Sequence, residues 1–196
     1  VVLPTKRARR LFEHFLLDAA EQRGVMVVPP EISTPGRMID QFVRPTGLPA
    51  SPVALELVDR QVWMDLDPSQ REIVEGPNAT ETGRDALIRR MAQLHADACE
   101  AMVDFENILD MIPEGVAGGE ERRRWEVLLC WQRARAERME ALGLQCPQCQ
   151  RVQSVVQRDV SQGWYSRVVL VDGESSPLRT AFLEALDQLG LRIDRV

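Results

Sequence analysis

The chain has 196 residues, of which 44% are hydrophobic and 28% charged, and its formal net charge is −6. These values are typical of a folded globular protein, and they argue against a disordered or fibrous chain and against a surface that is positive throughout. Any contact with nucleic acid must therefore come from a local cationic patch. Lys6 is the only lysine, so arginine supplies nearly all of the positive charge.

Several signals are missing from the sequence. No apolar stretch is long enough to span a bilayer and no signal peptide is recognisable, so we expect a cytoplasmic protein without membrane contacts. A Walker A loop needs a lysine directly after a glycine, whereas Lys6 follows Pro4 and Thr5. Because the chain opens on Val1 without a methionine and closes on a strand-like segment, we expect a piece of a longer polypeptide.

The first predicted elements are a short strand at 1–4, a helix from about Lys6 to Arg23, and a buried strand at 25–28. The helix carries apolar residues at helical spacing, and these predict a buried face formed by Leu11, Phe12, Phe15, Leu16 and Ala19.

The junction between this strand and this helix is strongly cationic. Thr5 precedes a run that contains Lys6, Arg7, Arg9 and Arg10. Phosphates bind well where cations lie beside the free amides of a helix N-terminus, which makes Thr5, Lys6 and Arg7 candidate phosphate-binding residues. The alternative is a solvated helical turn whose arginines only confer solubility.

A second polar junction follows the predicted second strand. Thr34 can cap a helix that Pro35 opens, and Gly36 and Arg37 lie in its first turn. If both crossovers are right-handed, the two junctions lie along the same edge of a parallel sheet. Thr34, Gly36 and Arg37 are therefore further candidate site residues at that edge.

The middle of the chain has a helical pattern throughout. A linker rich in proline and glycine at 44–52 leads to predicted helices at 53–66, 120–142 and 147–158, and residues 82–112 are predicted to form two helices or one bent helix. This stretch is predicted to be an all-helical insertion between sheet elements. The two histidines, His14 and His95, are far apart in sequence, and we interpret both as structural or exposed.

The four cysteines include one Cys-x-x-Cys pair, Cys146 and Cys149, which is compatible with half a zinc site or with a redox pair. A structural zinc site normally needs a second pair, and the sequence offers no second Cys-x-x-Cys. Cys99 and Cys130 fall within helical patterns and are interpreted as small buried hydrophobes. The prediction is that this chain binds no metal ion and no cofactor.

Near the C-terminus, a continuous aliphatic run at 168–171 predicts a buried parallel strand that ends in Asp172 and Glu174. Carboxylates at the end of such a strand hold magnesium and position water in nucleotide hydrolases, and the alternative is an acidic surface loop. Ser176 and Pro177 then start a helix that ends at Gly190 and leads to a last strand, which completes a βαβ unit.

Four segments in this order resemble a known family. They are Val-Leu-Pro-Thr-Lys-Arg-Ala from Val2, Ile-Ser-Thr-Pro-Gly-Arg-Met-Ile from Ile32, an Arg-Trp-Glu helix that ends in Leu-Gly-Leu, and Val-Val-Leu-Val-Asp-Gly-Glu from Val168. Together they resemble the N-terminal helicase-like region of AddB-type subunits of bacterial AddAB helicase-nucleases, relatives of RecBCD and of superfamily 1 helicases.

The resemblance implies an α/β fold, with a RecA-like parallel sheet flanked by helices in residues 1–44 and 160–196. A mainly helical subdomain at 45–159 would interrupt that domain. In the family, the motifs matched by Pro4 to Arg7 and by Thr34 to Arg37 contact the DNA backbone. Asp172 and Glu174 would take the Walker B position, although an intervening glycine departs from the Asp-Glu pair of helicases.

The function implied is a non-catalytic DNA-binding scaffold within a double-strand-break repair helicase-nuclease. Its partners would be single-stranded DNA or duplex ends and an AddA-like helicase subunit, without a cofactor in this chain. One alternative is part of an ATP-hydrolysing helicase domain that uses ATP and Mg²⁺, with its Walker A loop before Val1. Another is an α/β scaffold that binds only proteins.

Overall fold

The computed structural model describes residues 1–28, 30–76, 80–112, 119–161, 165–171 and 175–195. Most of these residues lie in helices, and none of the described helices is long and apolar enough to cross a membrane. The helices are α1 (Lys6–Gln22), α2 (Pro35–Met38), α3 (Pro52–Asp65), α4 (Pro68–Glu75), α5 (Glu81–Glu100), α6 (Phe105–Met111), α7 (Gly119–Ala141), α8 (Pro147–Val156) and α9 (Pro177–Gln188). The strands are β1 (Leu48–Pro49), β2 (Leu144–Gln145), β3 (Arg167–Leu170) and β4 (Arg192–Arg195).

The chain divides into two compact units. Unit 1 combines Val1–Arg44 with Gln153–Val196, and unit 2 is the intervening segment Pro45–Val152. Each unit holds one pair of parallel strands, β3 with β4 in unit 1 and β1 with β2 in unit 2.

In unit 1, β3 and β4 pair in parallel and α9 connects them. Val2 adds a parallel bridge to Leu170 at the end of β3 and another to Ser33. Helix α9 starts at a serine cap, since the Ser176 hydroxyl accepts from the Arg179 amide at 3.2 Å and proline takes the first helical position. Its apolar face is buried and comprises Leu178, Phe182, Leu183 and Leu186.

The predicted RecA-like parallel sheet is wrong. Within the described ranges the assigned strands form two pairs of two to four residues each, and the bulk of the chain is helical. The run at 25–28 that was predicted as a buried strand has no strand structure, and its side chains are exposed, with Met26 and Val28 almost fully so. Ser33 pairs with Val2 instead, so a short aliphatic run alone did not identify the pairing segment.

The predicted buried face of α1 also needs correction. The helix bounds agree with the prediction, but Leu11 is 50% exposed and Phe15 is 70% exposed, whereas Ala20 is buried. Helical spacing of apolar residues therefore indicated the helix correctly but not which side of it lies against the rest of unit 1.

Unit 2 is built around α7, which packs against α3, α4 and α6. Its core includes three aromatic side chains with no solvent exposure, Trp63, Phe105 and Trp131. The predicted helices at 53–66 and 120–142 correspond to α3 and α7, whereas the predicted 82–112 helical region is divided into α5 and α6. Asp104 caps α6 and accepts from the Asn107 amide, which explains why a new helix starts there.

A hydrogen-bonded carboxylate joins α3, α4 and α5. Glu75 accepts from the Trp63 indole N–H at 2.8 Å and from the Arg84 guanidinium at 2.7 and 3.2 Å, and its side chain is 9% exposed. The hydrogen bond from Arg84 is the main reason why the pKa of Glu75 lies below its ordinary value, since burial acts in the opposite direction.

Glu75→Gln is expected to lower the free energy of unfolding by about 1–3 kcal/mol, because hydrogen bonds to charged groups carry this much and the buried indole loses its anionic acceptor. A lowered pKa contributes stability above the ordinary glutamate pKa of about 4.3 and loses it as pH falls. The difference from wild type should therefore shrink in acid. Urea unfolding across pH measures both effects, and Glu72→Gln, an exposed neighbour on α4, is the matched control. Equal losses in the two variants would contradict this role for Glu75.

Candidate phosphate-binding edge and cysteine–histidine cluster

Unit 1 brings its two polar junctions together. The Leu3 amide donates to the Ser33 carbonyl and the Ser33 amide donates to the Val1 carbonyl, both at 2.9 Å, so the two segments run in parallel. Each segment then enters a helix from the same end, α1 after Thr5 and α2 after Thr34. We refer to the residues of these junctions as the phosphate-binding edge: Thr5, Lys6, Arg7, Thr34, Gly36 and Arg37.

The cationic side chains at the start of α1 differ in their exposure and ion pairing. The Thr5 hydroxyl accepts from the Ala8 amide at 3.0 Å, which caps the helix, and Arg9 forms an ion pair with Glu13 at 2.9 Å. Lys6 and Arg7 are exposed, and the first turn contains no acidic residue. Cations at the N-terminus of a helix add to the positive potential of its dipole, so this turn is electrostatically suited to an anion.

A cavity of about 560 Å³ lies beside the edge, between α1 and the segment that leads into α2. Arg9 and Arg37 line it, but so do the carboxylates of Glu13 and Glu31. Mixed charge of this kind does not favour phosphate inside the cavity. The cationic surface at the helix start is therefore the better candidate for an anion.

The predicted Walker B-like pair, Asp172 and Glu174, lies outside the described residues. The structure describes β3, which precedes the pair, and α9, which follows it. His14 is exposed on α1, 3.8 Å from Asp18.

Unit 2 contains a cluster that the sequence did not lead us to expect. The Nε2 atom of His95 lies 3.5 Å from the Sγ of Cys149 and 3.8 Å from the Sγ atoms of both Cys146 and Cys99. The donor atoms of His95, Cys146 and Cys149 all lie within 4.8 Å of one another. We refer to these four residues as the cysteine–histidine cluster. Imidazole and thiolate are the donor types that bind zinc in proteins.

Local structure explains how the cluster assembles. His95 and Cys99 are four residues apart on α5 and so share one face of the helix. Cys146 immediately precedes α8 and Cys149 lies in its first turn, where Pro147 takes the first helical position. The β1–β2 pair, in which Pro49 lies opposite Gln145, fixes the chain just before Cys146.

A buried ion pair supports the cluster from one side. Arg135 on α7 donates from Nε to Asp59 on α3 at 2.5 Å and from Nη1 to the Sγ of Cys146 at 3.3 Å. Both charged side chains are about 5% exposed or less. A guanidinium held in this position stabilises negative charge on the sulfur.

A glutamine holds the ring of His95 from its other nitrogen. The Phe105 amide donates to Oε1 of Gln132 at 3.1 Å, and the amide nitrogen of Gln132 lies 3.3 Å from Nδ1 of the ring. The rings of Phe105 and Trp131 also meet the imidazole edge-on, at 6.1 and 6.4 Å between centroids. The ring orientation is therefore fixed by packing as well as by hydrogen bonding.

The cluster perturbs the ionisation of its own members. Burial lowers the pKa of His95, but hydrogen bonds to Cys146 and Cys149 outweigh it and raise the pKa to about 9. The hydrogen bond to Cys149 raises the pKa of Cys146 and lowers that of Cys99. The ionisation of the imidazole is therefore coupled to that of the neighbouring thiols.

The sequence does contain a signal for the cluster. It has no second Cys-x-x-Cys, but His95 and Cys99 form a His-x-x-x-Cys pair on a helix. His95 was interpreted as an isolated histidine, yet it contacts three sulfur atoms. Cys130, by contrast, is exposed on α7 rather than buried.

Comparison of the chain with protein-family models, with curated proteins and with solved structures finds no match.

Proposed function

We propose that this chain binds the phosphate backbone of DNA, single-stranded or at duplex ends, through the phosphate-binding edge. It would act as a non-catalytic scaffold of a double-strand-break repair helicase-nuclease, beside a helicase subunit. The observation that carries the proposal is the parallel pairing of Val2 with Ser33, which sets the junctions at Thr5 and Thr34 side by side.

The charge distribution supports this proposal. Unit 1 holds twelve of the 24 Lys and Arg and eleven of the 30 Asp and Glu, which gives it a formal charge of +1, so unit 2 carries −7. The negative net charge of the whole chain therefore comes from unit 2. The net charge of unit 1 does not oppose an approach of DNA. Four of the five residues from Lys6 to Arg10 are cationic.

Lys6→Ala combined with Arg7→Ala is expected to weaken binding to a labelled single-stranded oligonucleotide by about tenfold. It should also reduce the salt slope by about 1.4, because two phosphate contacts are lost at about 0.7 each for single strands. Fluorescence anisotropy over a salt series measures both quantities. Helical content measured by circular dichroism should stay unchanged, since both side chains are exposed.

The matched control is Arg89→Ala combined with Arg90→Ala. These two neighbouring arginines are exposed on α5 in unit 2, and their removal changes the net charge equally. The control should keep wild-type affinity and slope. Similar losses in both double variants would point to bulk charge and count against the phosphate-binding edge.

A scaffold that binds only proteins is the second candidate. The specific observation in its favour is the exposure of Leu11 and Phe15 on α1, at 50% and 70%. It predicts no binding to the oligonucleotide even at low salt, so the same anisotropy series separates the two functions.

A further inference from the structure

The cysteine–histidine cluster has the dimensions of a tetrahedral metal site. Zinc bonds of about 2.0–2.1 Å to nitrogen and 2.3 Å to sulfur, at tetrahedral angles, place the nitrogen about 3.6 Å from each sulfur. In the structure Nε2 of His95 lies 3.5, 3.8 and 3.8 Å from the sulfur atoms of Cys149, Cys146 and Cys99. All three sulfur atoms thus lie at about the nitrogen–sulfur separation of a single bound ion. The donor atoms of His95, Cys146 and Cys149 also lie within 4.8 Å of one another, and Cys99 supplies the third sulfur near the imidazole nitrogen.

We infer that His95, Cys99, Cys146 and Cys149 form a structural zinc site within unit 2. The site joins the C-terminal part of α5 to the start of α8, and His95 and Cys146 are 51 positions apart in the chain. This inference is independent of the proposed DNA contact, which depends on unit 1 alone.

The donor set and its spacing favour one zinc ion over other metals. Three sulfurs and one imidazole match the Cys₃His class of structural zinc sites, whereas magnesium and calcium take oxygen donors. The donor atoms of His95, Cys146 and Cys149 lie within 4.8 Å of one another, which is too close to enclose a cluster of several irons. Four protein donors leave no open position, which is characteristic of a structural site rather than a catalytic one.

The surroundings provide the outer hydrogen bonds that metal ligands need. Arg135 donates to the sulfur of Cys146 and is itself held by Asp59, so its positive charge offsets that of a zinc-bound thiolate. With a metal on Nε2 of His95, the ring proton lies on Nδ1. The side chain of Gln132 lies beside that atom, with its amide nitrogen 3.3 Å away, and is itself held by the hydrogen bond that its oxygen accepts from the Phe105 amide.

The test measures zinc content and cobalt spectra of the whole chain. Wild-type protein purified in reductant and supplied with Zn²⁺ should retain one zinc per chain after desalting. Cys146→Ser and Cys149→Ser should weaken zinc binding by at least about 100-fold, since the loss of outer-shell partners alone costs 10–100-fold. Cys130→Ser removes an exposed cysteine outside the cluster and should behave as wild type. A wild-type chain that retains no zinc, or equal retention in Cys130→Ser and Cys146→Ser, would overturn the inference.

Cobalt substitution tests the fourth ligand. The near-ultraviolet charge-transfer band of bound Co²⁺ arises from coordinated thiolates, so Cys99→Ser should lower it by about a third if three cysteines bind. An unchanged band would exclude Cys99 and overturn the four-ligand site.

If a variant fails to fold, removal of zinc from the unsubstituted chain with a chelator provides the test. Removal of zinc should lower the thermal midpoint by several degrees, and Zn²⁺, but not Mg²⁺, should restore it. A midpoint that does not respond to removal of bound zinc would overturn the structural role.

Discussion

Asp59→Ala is expected to lower the free energy of unfolding by about 3–5 kcal/mol, because it leaves the Arg135 guanidinium buried without its carboxylate. Asp59 and Arg135 are 4% and 5% exposed at the side chain, and the Nε–Oδ1 distance between them is 2.5 Å. Water cannot replace the lost acceptor at such depth, so the desolvation cost of the guanidinium remains. Urea unfolding followed by circular dichroism measures the loss.

Asp65→Ala is the matched control for this prediction. Asp65 lies on the same helix, α3, and pairs with Arg138 on the same partner helix, α7, at 3.6 Å. Its side chain is 56% exposed, so the pair should contribute no more than about 1 kcal/mol. Similar losses for the two aspartates would show that burial does not determine the strength of these ion pairs.

A double replacement tests whether the loss of stability in Asp59→Ala comes from the unpaired charge of Arg135 or from lost packing. Asp59→Leu combined with Arg135→Met removes both charges and keeps apolar volume, so it should cost less than Asp59→Ala alone. The recovery should be incomplete, because Arg135 also donates to the sulfur of Cys146. A double variant that is less stable than the single one would indicate that the pair itself is strongly favourable.

Local chemistry explains which parts of the fold were predictable. Thr5 before α1, Pro35 at the start of α2 and Ser176 with Pro177 before α9 were all identified from sequence, and the structure has helices that start at these residues. Capping depends on a few neighbouring residues, so a sequence carries this information directly.

Strand pairing and burial depend on distant residues, and there the prediction was wrong. The 25–28 run has the composition of a buried strand, yet Ser33 makes the parallel bridge to Val2. Four consecutive residues do not indicate whether another segment of the chain will bury them. The RecA-like sheet was implied by the resemblance of four short segments to a helicase-like family, and it is not present in the described part of the chain.

The cysteine–histidine cluster was predictable only in part. Cys146 and Cys149 were compatible with half a zinc site or a redox pair, and no metal was predicted, because the sequence does not show that α5 brings His95 and Cys99 beside them. The i, i+4 spacing on a helix is visible in sequence once a helix is assumed. The buried pair of Asp59 and Arg135 leaves no comparable local pattern, because 76 positions separate its members.

Phe182→Ala tests how unit 1 is held together, and it should lower the free energy of unfolding by about 3–5 kcal/mol. The Phe182 ring has no solvent exposure and meets the ring of Phe42 edge-on, with 5.5 Å between centroids. Truncation leaves a cavity between α9 and the segment that contains Phe42. Hydrogen exchange in peptides that cover β3 and α9 should report the loss within unit 1.

Phe15→Ala is the control that bears on the orientation of α1. Apolar spacing predicted Phe15 to be buried, but its side chain is 70% exposed, so its replacement should change stability by no more than about 0.5 kcal/mol. The higher helix propensity of alanine opposes even this small loss. If Phe15→Ala cost as much as Phe182→Ala, the apolar face of α1 would be buried as its spacing predicted. A large difference between the two phenylalanines would place the stabilising contacts of unit 1 on α9.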